Sequence, residues 1–511
     1  MDRRELIKLG AGAVVTGLAA SASAAPRSGP AKQTERWGVF DLAARGSSSG
    51  NPFVEVTFGA RFTFGSRTVS VPGFYDGDGV YRVRFSPDTV GQWTWETTSS
   101  DQSLDGQTGA FDCLPAQLGN RGPIGSAHRF HFQYADGTPY FPFGTTCYSY
   151  GFVPGPYQSE TLRNLKSALF NKVRMCLLPK PLGKLQPVVM PFELKPGATD
   201  NAPGNFDLTR LNPAYFEHAE RCIQDLLAAN VQADVILFHP YDSWGFKSMG
   251  EEADDRYLRY AVARLSACRN VWWSVANEFD LIRSKSMKDW DRFFRIIVES
   301  DPHSRLRSIH YSRVMYDYTK PWCTHASLQN YEFDKSAERL AAWDKPIIFD
   351  EIQYEGNIAR RWGNLSPQEM TYRFWRAIIN GVYATHGETY ITTDGSPVWS
   401  DAGELHGTSP ARLAFLHDLL KKSGTTGLLA PENPYYPNAG NPDKLYLWFF
   451  DYHCAAEYEF PLPESAQFKA TLIDPWAMST TAVSGTFRGK SKLKLPGKPY
   501  RAVLFEKIRS R

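Results

Sequence analysis

Between about residues 125 and 422, short apolar runs rich in β-formers alternate with longer segments of helical periodicity. The runs are Tyr140–Tyr148, Lys172–Leu178, Ala233–His239, Val271–Ala276, Leu306–Tyr311, His325–Gln329, Pro346–Glu351 and Glu388–Thr393. Helical stretches at Ser159–Phe170, Pro213–Ala229, Glu251–Ala267, Met287–Ser300 and Ser366–Ala384 fall between them. A polar insertion over 179–210 interrupts the pattern. Short runs of this composition are strands buried on both faces. Strands separated by helices pair in parallel, and eight such units close a (β/α)8 barrel.

The flanks follow a different rule. Residues 36–113 alternate apolar and polar at Phe53–Phe64, Tyr81–Phe85 and Gln92–Glu96, with a turn at Asp76-Gly77-Asp78-Gly79. Half-buried strands at this spacing predict a β-sandwich domain. After about 425, Leu445–Phe450, Phe468–Ile473 and Tyr500–Phe505 predict a C-terminal β-domain. The whole reads as an α/β barrel, 125–422, between an N-terminal sandwich and a β-domain over 425–511. Three domains suit 511 residues.

Residues 1–26 read as an export leader. Arg3-Arg4-Glu5-Leu6-Ile7-Lys8 is a twin-arginine signature, Leu9–Ala20 is mildly apolar, and Ala22-Ser23-Ala24 offers a cleavage site. A bacterial periplasmic or secreted protein, exported already folded, is the expectation. No later run has 18 uncharged apolar residues, so no membrane span is predicted. With 57 basic and 54 acidic residues, the net charge of +3 leaves no nucleic-acid footprint. The seven cysteines lack CxxC spacing, and there is no HExxH or clustered His/Cys motif. Neither a metal nor a cofactor is expected, and the sequence leaves the oligomeric state open.

Barrel enzymes keep their chemistry at the C-terminal ends of the strands. The fourth strand, with Ser274, Ala276 and Glu278 on one face, stops at Asn277-Glu278, and the seventh stops at Asp350-Glu351. Two carboxylates across a sugar are the equipment of glycoside hydrolysis: one protonates the leaving oxygen, the other attacks the anomeric carbon or activates water. The acid needs a raised pKa, which a second carboxylate and the aromatic setting of Trp272 and Trp273 favour. Asp350 rivals Glu351, and alternation along a strand turns only one of two neighbours inward. Asn277 offers an amide to a sugar hydroxyl. His239 and His310 end the third and fifth strands and could contact the sugar or orient a carboxylate.

Asn-Glu ending the fourth strand and Glu ending the seventh resemble clan A glycoside hydrolases, which are retaining enzymes. Pro139-Tyr140-Phe141-Pro142-Phe143-Gly144-Thr145-Thr146, Asp350-Glu351-Ile352-Gln353-Tyr354-Glu355-Gly356, and Glu388-Thr389-Tyr390 followed by Trp399 are similar to segments of apiosidase-like barrels. Where those barrels usually carry His, this chain has Glu388, a change that bears on sugar preference. The resemblance implies Glu278 as acid/base and Glu351 as nucleophile, acting on an oligosaccharide or polysaccharide of plant or microbial origin. Retention would place the two carboxyls about 5–5.5 Å apart. Gln329, Tyr354, Glu355 and Trp399 join the candidate sugar-binding residues by strand-end position or by this likeness. A barrel that binds carbohydrate without cleaving it, and a transglycosylase using the same site, are the alternatives. Two intact carboxylate positions favour the hydrolase.

Export by the twin-arginine route has a direct test. Replacing Arg3 and Arg4 with Lys should leave precursor in the cytoplasm on fractionation. Unchanged export of the double variant would refute the assignment.

Overall fold

Parallel strands sheathed by helices bury both faces, and the runs at the centre of this chain do so residue by residue. The computed structural model describes residues 32–182, 186–393 and 395–508; the expected leader lies outside them. Eight strands form the barrel: β1 (Phe143–Thr146), β2 (Lys172–Cys176), β3 (Gln232–Phe238), β4 (Val271–Ala276), β5 (Arg307–Ser308), β6 (Ala326–Gln329), β7 (Ile347–Glu351) and β8 (Tyr383–His386). Their order is 5-4-3-2-1-8-7-6, all parallel, and a bridge from His310 to Ser327 joins the two edges. Every residue of β2, β3, β4 and β8 is buried, as expected for parallel strands covered on both faces.

The helices are α1 (Gly155–Ala168), α2 (Pro213–Ala228), α3 (Glu251–Leu265), α4 (Met287–Ser300), α5 (Ser336–Trp343), α6 (Pro367–Ile379) and α7 (Ser409–Ser423). Their starts are written locally. Asn212 and Ser366 cap α2 and α6 ahead of a proline, and Ser286 with Asp289 closes a capping box on α4. On α4, Trp290, Phe293, Phe294 and Ile297 make one buried stripe. Between β5 and β6 the described chain is irregular.

One strand differs from the sequence expectation. The helical pattern read through to Ala384, with Glu388–Thr393 as the eighth strand. In the structure α6 ends at Ile379, Gly381 turns the chain at φ +72°, and Tyr383–His386 is β8. An apolar run directly after an amphipathic helix has no periodicity of its own to separate it. Glu388–Thr389 instead pairs with Glu355–Gly356 in a two-stranded ribbon beside the rim.

A three-stranded sheet, Ile124–Ala127, His131–Tyr134 and Pro139–Tyr140, closes the N-terminal end of the barrel. Its Phe132 ring lies 5.2 Å from Trp272, 5.9 Å from His325 and 5.8 Å from Tyr383. The N-terminal sandwich sets a five-stranded sheet against a three-stranded one around Phe40, Phe62, Phe85, Trp93 and Phe111. It docks through ions: Arg264 on α3 reaches Asp76 at 2.6 Å and Glu220 at 3.1 Å, while Arg84 reaches Glu220 at 2.7 Å. The C-terminal domain packs a five-stranded antiparallel sheet on α6, where Tyr500 stacks on Tyr372 at 3.8 Å and Phe449 on Trp375 at 5.6 Å.

Charges occupy the barrel interior. Lys172 Nζ donates to Asp234 Oδ2 at 2.6 Å and to Asp350 Oδ1 at 2.8 Å. Asp350 also accepts from Ser327 Oγ at 2.6 Å and Thr385 Oγ1 at 2.8 Å. Five strands are thereby pinned through two carboxylates and one ammonium. Removing the cation from a buried pair leaves uncompensated charge, which costs ~3–5 kcal/mol. Lys172→Met should lose about that much stability in urea unfolding. A loss within experimental error would show that Arg174 alone compensates the two aspartates.

Candidate active site

Local backbone departures aim the two strand-end glutamates. β4 ends at Ala276, and Glu278 then takes a left-handed conformation, φ 45° and ψ 52°, which a non-glycine residue adopts only when its surroundings impose it. On β7 the pairing runs Leu328 to Phe349 and then Gln329 to Glu351, leaving Asp350 as an extra residue. Such an irregularity re-aims side chains. Both acidic neighbours therefore turn toward the axis, Asp350 into the interior and Glu351 into the mouth. This corrects the expectation that alternation admits only one of them.

Glu278 and Glu351 line one cavity of about 580 Å³, together with Tyr148, Lys180, Tyr241, Gln329, Tyr354 and Trp362. Glu278 Oε1 accepts from Gln329 Nε2 at 3.0 Å, and its Oε2 accepts from the Tyr241 hydroxyl. Burial pushes the Glu278 carboxyl up to about 7; the charge of Glu351 adds to the rise and the Gln329 bond opposes it. Glu351 Oε1 accepts from Tyr148 OH at 2.5 Å and from Arg174 Nη1 at 3.4 Å. The Tyr354 hydroxyl lies 2.8 Å from that of Tyr148. Burial lifts Glu351 above the ordinary carboxylate range, while Arg174 and the two tyrosine hydroxyls pull it back. For Asp350, burial acts upward, but Lys172 and Arg174 hold the carboxyl well below its usual range.

Of the residues expected at the site, Glu278, Glu351, Gln329 and Tyr354 line the cavity. Asn277 sits just beneath, its Oδ1 accepting from Arg174 Nη2 at 2.8 Å and its Nδ2 without a partner among the described residues. Four others stand outside the cavity lining, with side chains held by the protein. His239 lies 2.9 Å from the Leu178 carbonyl through Nε2 and accepts from the Tyr241 amide at 3.3 Å. His310 is fully buried, its Nδ1 3.9 Å from Glu351 Oε1. Glu355 accepts from Thr408 N at 2.9 Å and from the Ser409 hydroxyl. Trp399 donates from Nε1 to Thr145 Oγ1 at 2.8 Å. Glu388, expected to bear on sugar preference, is also fully buried and held by the amides of His406 and Gly407.

Sequence reasoning passed over Tyr148, Arg174, Lys180, Tyr241 and Trp362. Arg174 had a signal: Lys172 and Arg174 alternate inside an otherwise apolar strand, and two cations on one face of a buried strand demand carboxylate partners. Lys180, which bonds Asp401 at 2.6 Å, and Tyr241 lie on rim segments whose positions only the fold supplies. Glu355, His386 and Glu388 also form a buried group able to hold a metal, outside the cavity.

The fold and the paired carboxylates define a barrel glycosidase. The apiosidase-like catalytic domain matches residues 126–411, and two domains of unknown function, DUF5060 and DUF5605, match residues 33–100 and 435–506. A candidate glycoside hydrolase from Bacteroides vulgatus ATCC 8482 shares 34% identity at a TM-score of 0.88, covering 93% of this chain and 100% of that one. A family 5 glycoside hydrolase from the same organism shares the fold at 14% identity and a TM-score of 0.58, over 76% of this chain and 94% of that one. No curated protein matches the chain. The chain belongs to the apiosidase-like family of glycoside hydrolases.

The environment of Glu278 can be probed without a substrate. In Gln329→Leu the donor that favours the ionised carboxylate is gone, so Glu278 should titrate above about 7. Carboxyl-carbon NMR of selectively labelled protein reads the shift; an unchanged or lower value would contradict the assignment.

Proposed function

We propose that the protein is a retaining, clan A glycoside hydrolase that cleaves O-glycosidic bonds of plant or microbial glycans outside the cytoplasm. Glu278 is the acid/base and Glu351 the nucleophile. The observation that carries this reading is the setting of two carboxylates on one cavity: Glu278 pushed up to about 7, and Glu351, also lifted by burial, pulled back by the Arg174 guanidinium. Environments that separate two carboxyl groups in this way assign acid and nucleophile.

In the first step Glu278 gives its proton to the leaving oxygen while Glu351 attacks the anomeric carbon. The glycosidic C–O bond breaks and a glycosyl ester forms. In the second step ionised Glu278 takes a proton from water, which displaces Glu351. Arg174 meets Glu351 with one terminal nitrogen and orients Asn277 with the other. The Nδ2 of Asn277, without a partner among the described residues, is suited to donate to a sugar hydroxyl beside the reacting carbon. The exposed ring of Trp362 on the cavity wall offers a stacking face for a second sugar.

Hydrolysis on a glycan panel, followed by proton NMR of the first-formed anomer, tests the proposal. A retained anomer is expected, and an inverted one would overturn the nucleophile assignment. Glu351→Ala should abolish turnover. Glu278→Ala should slow substrates with poor leaving groups by about 10²–10⁴-fold, spare activated aryl glycosides, and recover deglycosylation with azide. In the wild type the rate should fall as pH rises through about 7, where Glu278 loses its proton, and fall again in acid as Glu351 becomes protonated.

A further inference from the structure

Behind the cavity wall, Glu355, His386 and Glu388 bring one ligand atom each to within 4.8 Å of one another, and all three are fully buried. They come from three places in the chain: the segment after β7, the end of β8, and the ribbon strand that follows it.

The carboxylates are fixed from one side by the approach to α7. His406 N donates to Glu388 Oε1 at 2.6 Å and Gly407 N to Oε2 at 2.8 Å; Thr408 N donates to Glu355 Oε1 at 2.9 Å and the Ser409 hydroxyl to Oε2. Gly407 is required there, since a Cβ would stand 2.4 Å from Glu388 Oε2 and 2.8 Å from Glu355 Oε1. Glu355 Oε1 also accepts from Tyr390 OH at 3.3 Å, while Glu355 Oε2 and the two Glu388 oxygens each accept one bond among the described residues and keep a lone pair.

His386 faces that other side. Its ring stacks on Phe170 at 5.0 Å, and its Nδ1 lies 3.0 Å from Thr145 Oγ1. Its Nε2, 3.9 Å from Glu355 Oε2, is buried and has no hydrogen-bond partner among the described residues. A histidine held at one nitrogen with the other aimed at carboxylates is how proteins present imidazole to a metal. Among the described residues, no lysine or arginine forms an ion pair with Glu355 or Glu388.

We propose that Glu355, His386 and Glu388 bind a divalent first-row cation of the zinc type, which braces the cavity wall. Two carboxylates and a neutral imidazole balance a dication and suit its mixed N/O preference. Bonds of about 2.0–2.2 Å to nitrogen and oxygen in a tetrahedral set need the three ligand atoms closer together than 4.8 Å, so the side chains move inward to complete the set. The role is structural. Tyr354 immediately precedes Glu355, and Ser400, on the same cavity wall, donates to the Glu388 carbonyl at 2.6 Å. The reacting carboxylates belong to a separate group.

Elemental analysis of the purified full chain, before and after a chelator, supplies the test, with Zn²⁺ and Co²⁺ as the added ions. The expected results are uptake of one cation per chain, a downward shift of Tm on chelation reversed by Zn²⁺, and a Co²⁺ visible spectrum that His386→Gln and Glu388→Gln each abolish. If a variant does not fold, the wild-type stoichiometry and Tm shift still decide. No stoichiometric cation, a Tm indifferent to chelator and Zn²⁺, or a Co²⁺ spectrum unchanged in the folded variants would overturn the proposal and leave a proton-sharing cluster.

Discussion

The pairing of Lys172 with Asp234 and Asp350 at the centre of the barrel is the constraint on which the site rests. Burying an ammonium and two carboxylates in a β-barrel interior is tolerable only when every charge is met. Meeting them fixes β2, β3 and β7 relative to one another, and Ser327 and Thr385 extend the arrangement to β6 and β8. Arg174 is the next residue up the same face of β2. Its Nε lies 3.8 Å from Asp234 and 4.0 Å from Asp350, and its terminal nitrogens reach Asn277 and Glu351. The interior ions and the cavity carboxylate of Glu351 are thus one continuous structure, with the guanidinium as the joint.

That continuity explains the division of labour between adjacent residues. Asp350 is fully committed to cations and hydroxyls below, so it is poorly placed to attack a sugar. Glu351, carried past it by the extra residue in β7, keeps one oxygen on Tyr148 and Arg174. On the opposite wall, the left-handed turn at Glu278 brings a carboxyl into a setting where Gln329 and Tyr241 touch it and, among the described residues, no cation pairs with it. One carboxyl beside a cation and one without suit the proposed nucleophile and acid.

The barrel, its flanking β-domains and the two glutamates were legible because each leaves a local mark: apolar runs, capped helices, and a polar stop at a strand end. Four of the expected residues stand outside the cavity lining for one shared reason. Strand-end position tells where a Cα stands, while His239, His310, Glu355 and Trp399 are turned by partners distant in sequence, such as Ser409 for Glu355 and Thr145 for Trp399. The eighth strand was misread because α6 runs into it across a single glycine turn. Tyr241 and Trp362 could not be read, since nothing in a rim loop's composition says which cleft it overhangs.

The sheet under the barrel has a consequence for how the chain matures. Phe132 comes before β1, yet it rests against Trp272, His325 and Tyr383, and His131 meets the Tyr383 hydroxyl at 2.8 Å across 252 residues. A nascent chain therefore displays this apolar plug long before its last partner has been synthesised. Contacts of such high sequence separation form late and slowly, and exposed apolar surface in the interval invites association. The floor of the barrel, the first piece made, is among the last to be finished, so chaperone demand should be greatest just before β8 emerges.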